Sequence, residues 1–214
     1  MTTAYLLPRV VLIAVSLVAW FRTQAMIAQR PFPQDGLGDR IHELTVSWNR
    51  YLNAHPRAAN SLLIITSALI DLLGVFLLAS AVFGPSLRPF LGLLVLFALR
   101  QLCQSLCALP PPRGMIWRAP GFPSLLVTYG TATDLFFSGH TAIAVYGCLE
   151  LAHQAGPLGI AVGATVAVLE ALTVLVLRAH YTLDVFTGAI AAVCVWSLTW
   201  HWSPLVDQWL ATIF

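Results

Sequence analysis

The sequence predicts an all-α integral membrane protein. The expected form is a six-transmembrane helix bundle with a surface amphipathic helix between the first two spans. Three observations carry this. Hydrophobic residues make up 58% of the 214 and charged residues only 9%, with mean hydropathy +0.81, whereas a soluble domain carries about 25% charge. The apolar residues gather into runs long enough to cross the hydrocarbon as helices. A membrane β-barrel would instead show alternating segments of about ten residues. The whole chain, 1–214, reads as a single membrane domain.

The first span is about residues 6–28, entered past Arg9 and interrupted by Arg22. It is long for a cleaved signal peptide, and no small-residue cleavage site follows it cleanly. Residues 29–59 are a polar connector opening with Arg30-Pro-Phe-Pro-Gln-Asp35. Within it Ile41, Leu44, Trp48, Tyr51 and Leu52 recur at roughly helical spacing, opposite Arg40, Glu43 and Arg50. That pattern is an amphipathic helix, either lying on the membrane surface or serving as an ordinary loop helix on the solvent side.

The second span, 60–83, is broken only by Asp71, and Gly84-Pro-Ser86 turns the chain. The third, 88–109, turns polar in its latter half at Arg100, Gln101, Gln104 and Ser105. Pro110, Pro111 and Pro112 stop it. A loop follows to Thr133 and Asp134. The fourth span is 136–154, Gly156-Pro157 makes a tight turn, and the fifth is 157–179, with Gly159 and Gly163 on one face. The sixth is 181–202, and Trp196, Trp200, Trp202 and Trp209 crowd its far end as an interfacial aromatic belt would.

Composition also excludes. Cys103, Cys107, Cys148 and Cys194 all fall in apolar stretches and read as small buried hydrophobes, neither a disulfide framework nor a zinc site. All eleven basic residues are Arg, the net charge is +2, and no basic run suggests nucleic acid. No cofactor is expected.

Strict alternation of six spans sets the N-termini of the fourth and sixth at one membrane face. His140 lies near the first of these; His180 and Asp184 lie in the first turn of the other, four apart and therefore on one side of the helix. Two helix N-termini aimed at one spot seat an anion well, because their unpaired N–H groups and dipoles add. Phosphate is the obvious candidate. Asp184 would hold one ring nitrogen of His180 and leave the other to attack phosphorus, while His140 protonates the leaving oxygen. Asp71, Arg100, Glu150 and Glu170 all count to roughly 13–17 Å below that face at ~1.5 Å per residue. Charges at that depth are costly. An Asp71–Arg100 pair, with Glu150 or Glu170 facing the same cavity, is the expected solution.

Two other classes of function fit part of the pattern. Two His and one carboxylate can hold a metal, but no fourth ligand is in place. A lipid carrier could share the fold, and alanine at His180 would separate it from an enzyme.

Ser138-Gly-His140 with His180-x-x-x-Asp184 resembles the second and third motifs of the type-2 phosphatidic acid phosphatase superfamily. The Arg that superfamily places six residues before its third-motif His is Val174 here, and no first motif with Lys and Arg-Pro is present. The sphingomyelin synthase branch is the better likeness. Asp134-Leu-Phe-Phe-Ser-Gly-His-Thr141 resembles its Gly-Asp-x-x-Phe-Ser-Gly-His-Thr signature, with Thr133 in place of the Gly. His180-Tyr-Thr-Leu-Asp-Val185 resembles its His-Tyr-Thr-x-Asp-Val signature. The stretch from Arg100 to Leu109-Pro-Pro-Pro112 resembles its Arg-containing segment ending in Leu-Pro-x-Pro, and Pro31-Phe-Pro-Gln-Asp35 its Pro-Leu-Pro-Asp segment. The likeness covers roughly residues 30–200.

The resemblance implies His180 as nucleophile, Asp184 as its orienting partner and His140 as acid/base, with Asp134 and Arg100 shaping the headgroup pocket. From the residues themselves, Ser138 is a helix cap or a headgroup hydrogen-bonding group, and Tyr181 an interfacial anchor or a pocket wall. Such an enzyme moves phosphocholine or phosphoethanolamine from a glycerophospholipid to ceramide, a similar lipid alcohol or water, through a phosphohistidine, releasing diacylglycerol. The alternative is a lipid phosphate phosphatase of the same superfamily. The partners are then a membrane phospholipid donor and ceramide or a diacylglycerol-like lipid. Arg30, Arg40, Arg50, Arg57, Arg113 and Arg118 crowd the site face, against Arg9 and Arg88 on the other. The positive-inside rule would put the site in the cytoplasm. The resemblance implies an extracytoplasmic site, and that orientation is the expectation taken here.

Overall fold

The computed structural model describes residues 18, 22, 37–127, 129 and 135–213. Contacts divide the chain into Met1–Gly38 and Asp39–Phe214. In the first unit Val18 and Arg22 are helical and exposed. The rest of the expected first span, and Asp134, lie outside the described residues. The second unit is built from α1 (Arg40–Leu44), α2 (Val46–Ala54), α3 (Pro56–Phe83), α4 (Arg88–Leu106), α5 (Gly139–Val176) and α6 (Thr182–Ile213). No strand occurs among the described residues. Helices α3 to α6 are each long and apolar enough to cross a membrane. The chain is a helical, multi-pass membrane protein.

The expectation of six separate spans needs correction. Four helices of spanning length are present among the described residues. The fourth and fifth runs form one element, α5, whose helical geometry breaks only at Gly156 (φ 57°, ψ −135°), a conformation suited to glycine. A straight helix would hold Cys148 and Gly163 about 22 Å apart, yet a Cβ on Gly163 would lie 2.7 Å from the Cys148 Cα. Gly159 likewise abuts the Leu151 carbonyl. Helix α5 therefore doubles back at Gly156, and the small residues on its second arm are where the two arms cross.

The single surface helix expected between the first spans is two short ones, broken at Thr45 (φ −98°, ψ 11°). Their buried face is mostly polar: His42, Thr45 and Asn49, with Leu52. Leu44, Trp48 and Tyr51 point outward, Leu44 and Trp48 at least 60% exposed. A helix on a soluble protein would turn the other way. The inward polar groups are spent on backbone: Asn49 Nδ2 donates to the Gly114 and Val176 carbonyls at 3.0 and 2.9 Å.

The main core joins α3, α4, α5 and α6 through Leu77, Leu96, Ala144, Tyr146 and Ala192. A second cluster, including Leu52, Leu63, Ile116 and Val174, packs α2 and the long loop against the end of α5. The ionisable layer differs from expectation. Asp71 does not pair with Arg100 among the described residues; its two oxygens accept the Leu125 and Leu126 amides at 2.8 and 2.9 Å. The loop after α4 reaches α3, and two of its amides find their acceptor there. Glu150 forms a two-pronged pair with Arg88, at 2.5 and 2.8 Å. Glu170 accepts from Thr66. Neither glutamate lines the cavity described below.

Candidate active site

The site forms where two helices begin. Ser138 caps α5: its Oγ accepts the Thr141 amide at 3.3 Å and meets the Thr141 hydroxyl at 3.0 Å. Phe137 enters the cap with φ 77°, uncommon for a bulky residue. That turn lets the Ser138 amide donate to the Asp184 carbonyl at 3.1 Å, stitching the α5 start to the first turn of α6. Gly188, one turn on in α6, passes close to Ser138; a Cβ there would lie 2.5 Å from the Ser138 carbonyl.

The other side is the end of α5. Arg178 takes φ 53° and Ala179 N donates to Val174 O, while Arg178 N donates to Leu175 O. This is a Schellman closure with Arg where Gly is usual. The Arg178 side chain is not a free interfacial group: it donates to the Arg113 carbonyl and, at 3.1 Å, to the His42 carbonyl. The chain then presents His180 and Tyr181 and enters α6.

His180 Nδ1 lies 2.8 Å from the Leu135 carbonyl. A carbonyl can only accept, so Nδ1 carries the proton and Nε2 keeps its lone pair. The expected Asp184–imidazole hydrogen bond is not there: Asp184 Oδ2 stands 3.6 Å from Nδ1. That oxygen instead accepts the Tyr181 amide at 2.9 Å. An acidic residue in the first helical turn reaching back to the cap amide is half of a capping box. Asp184 thus starts the helix and sets a negative charge beside the imidazole. It is 0% exposed, and its Oδ1 has no hydrogen-bond partner among the described residues.

A cavity of about 310 Å³ is lined by His180, His140, Gly139, Arg100, Trp117 and others. The start of α5 opens into it, and the Arg100 side chain lies across Gly139, where a Cβ would come 3.2 Å from its Nε. His140 is 7% exposed, its Nε2 has no hydrogen-bond partner among the described residues, and Trp117 meets its ring edge-on at 5.2 Å. Ser138 and Tyr181 do not line this cavity. The Tyr181 hydroxyl donates to the Pro110 carbonyl at 3.0 Å; burial pushes its pKa up, which keeps it a donor.

Sequence reading missed Asp39, His42 and the Leu135 carbonyl. A backbone acceptor leaves no mark in a sequence. Asp39 had one legible signal, its place as an N-cap ahead of α1. Burial holds the His42 imidazole below its ordinary 6.5, against the opposing pull of Asp39 and Asp184. The unfolded chain therefore takes up a proton near 6.5 that the fold refuses until lower pH, so stability falls as pH drops below about 6.5. Burial raises the Asp39 pKa, but the Thr182 hydrogen bonds and His42 together hold it below 3.8, so its own loss comes only at much lower pH. His42→Gln, which cannot titrate, is expected to flatten the loss of melting temperature between about pH 6.5 and 5. Melts of both proteins across that range check it.

A family model, AtPDCT1/2, matches residues 38–201. Among curated proteins and solved structures, none matches the chain. The matched segment contains both histidines, Asp184 and every cavity residue named above. The chain belongs to the AtPDCT1/2 family of phosphatidylcholine:diacylglycerol cholinephosphotransferases, a sphingomyelin synthase-like group of lipid phosphotransferases related to the type-2 phosphatidic acid phosphatases.

Proposed function

We propose that this enzyme moves the phosphoryl headgroup of a glycerophospholipid, phosphocholine or phosphoethanolamine, to a diacylglycerol through a phosphohistidine on His180. The observation that carries the reading is the Leu135 carbonyl holding Nδ1–H, which leaves Nε2 of a cavity-lining imidazole as a nucleophile. Nε2 attacks phosphorus, the bond to the diacylglycerol oxygen breaks, and His140, entering as the imidazolium, gives that oxygen its proton and is left neutral. The incoming hydroxyl of the acceptor then gives its proton to His140 and takes the phosphoryl group. Asp184, 3.6 Å from Nδ1, offsets the charge on the substituted ring. Arg100 and the α5 N-terminus favour the anion.

The sphingomyelin synthase likeness alone would give ceramide as acceptor; the family match favours diacylglycerol. The same reading takes the two arms of α5, together with the 6–28 run, as separate crossings. It also takes the outward face of α1 and α2 as resting in the membrane interface, and the site as facing away from the cytoplasm. The test is product analysis. Purified enzyme in vesicles is given choline- or ethanolamine-labelled phospholipid with diacylglycerol, ceramide or neither. Label appearing in a new glycerophospholipid only when diacylglycerol is supplied supports the reading. Label in a sphingolipid, or as free phosphoryl headgroup, replaces it with a ceramide transferase or a phospholipase.

A further inference from the structure

We infer that Asp39 and His42 are positioning residues for His180, holding the non-helical turn that carries it. The inference rests on the reading of His180 as nucleophile. Asp39 binds two helix starts at once. Its Oδ1 accepts the Ile41 and His42 amides of α1 at 3.0 and 3.2 Å and the Thr182 hydroxyl at 2.7 Å. Its Oδ2 accepts the Thr182 amide, the first of α6, at 2.6 Å. All four partners are donors, and a carboxylate is acceptor-only with about four lone-pair sites. An amide in its place would turn a donor onto a donor.

His42 completes the hold. Its Nε2 lies 3.0 Å from the His180 carbonyl, which can only accept, so Nε2 donates. Its ring centroid is 5.6 Å from that of Tyr181. The two peptide groups that follow His180 are then both held by side chains. The His180 carbonyl is held by His42, the Tyr181 amide by Asp184 and the Thr182 amide by Asp39. These last two are first-turn amides with no partner inside the helix. With the backbone held, Leu135 can set the ring direction through Nδ1. Neither Asp39 nor His42 lines the cavity, so neither meets the substrate there. The consequence is an effect on turnover without an effect on binding. A shift of the reacting atom by ~1 Å costs about 100-fold.

The test uses the full chain in phosphatidylcholine vesicles with diacylglycerol, measuring kcat, KM and melting temperature for each variant. Asp39→Asn and His42→Leu are expected to lower kcat, Asp39→Asn by on the order of 100-fold, with KM near wild type. His42→Gln, whose amide can still donate to the His180 carbonyl, recovers part of the loss. Thr182→Val removes one hydroxyl donor and keeps the amide bond, giving a smaller fall in kcat that Thr182→Ser restores; this pair decides the matter if Asp39→Asn does not fold. Wild-type kcat in both Asp39→Asn and His42→Leu overturns the inference. So does a loss that appears in KM, or one that only follows the folded fraction. His180→Ala runs alongside: if it stays active, the nucleophile reading has failed; if it is dead while the Asp39 and His42 variants match wild type, only the positioning role has.

Discussion

Replacing His180 with alanine abolishes headgroup transfer, by on the order of 10⁴-fold or more, and removes the labelled enzyme intermediate with it. The reason is the tautomer. With Nδ1–H spent on Leu135, Nε2 is the ring nitrogen left to attack, and alanine removes it. His140→Ala behaves differently. General acid–base catalysis contributes about 10²- to 10⁴-fold, and that is the expected loss with a natural phospholipid, whose diacylglycerol oxygen needs a proton to leave. A nitrophenyl phosphocholine donor, whose leaving group departs as a stable anion, is expected to label the His140 variant at close to the wild-type rate. Rapid quench with headgroup-labelled donors reads both. Label retained on His180→Ala, and lost on His140→Ala with the activated donor, would exchange the two roles.

Glu150→Ala is expected to destabilise the bundle by about 3–5 kcal/mol, the usual cost of removing one partner from a buried ion pair. Glu150 is 0% exposed and Arg88 5%. The guanidinium also lies 4.0 Å from the Trp200 ring centroid and 5.9 Å from that of Trp196. Arg88→Met with Glu150→Leu removes both charges and recovers most of the loss, because the penalty belongs to the orphaned charge and not to the missing pair. Unfolding in detergent micelles, with activity normalised to folded protein, separates this from catalysis. A double variant no more stable than the single one would show that the orphaned charge is not what costs the stability.

The spanning helices were legible because hydropathy in a bilayer is a local property. Runs of apolar residues must be helical wherever they sit, since hydrocarbon offers the backbone no partner. Pro110 to Pro112 and Pro56, at the start of α3, act as their types predict. The meeting of the candidate residues was legible for a related reason. His140, His180 and Asp184 stand at or beside helix starts, and helix direction alone brings those starts together.

Partner choice was not legible, because it depends on which polar groups tertiary structure delivers to the same depth. Asp71 and Arg100 looked like a pair by counting, but the loop after α4 brings the Leu125 and Leu126 amides to the Asp71 carboxylate. Arg88 looked like a loop charge on the far face, yet it is the buried partner of Glu150. Spacing placed Asp184 on the imidazole; in the fold the nearer acceptor for Nδ1 is a carbonyl from a segment 45 residues earlier. His42 and Asp39 lie in the polar connector, and only the packing of α1 against the turn at His180 brings them to it.

By itself, then, the sequence determined that the chain is a membrane-embedded helical protein and which three side chains are the candidates for its chemistry, since both follow from composition and helix periodicity. Only the tertiary structure decided what orients them. Hydrogen bonds to backbone carbonyls and amides carry no residue signature, and at the turn bearing His180 nearly every orienting contact is of that kind.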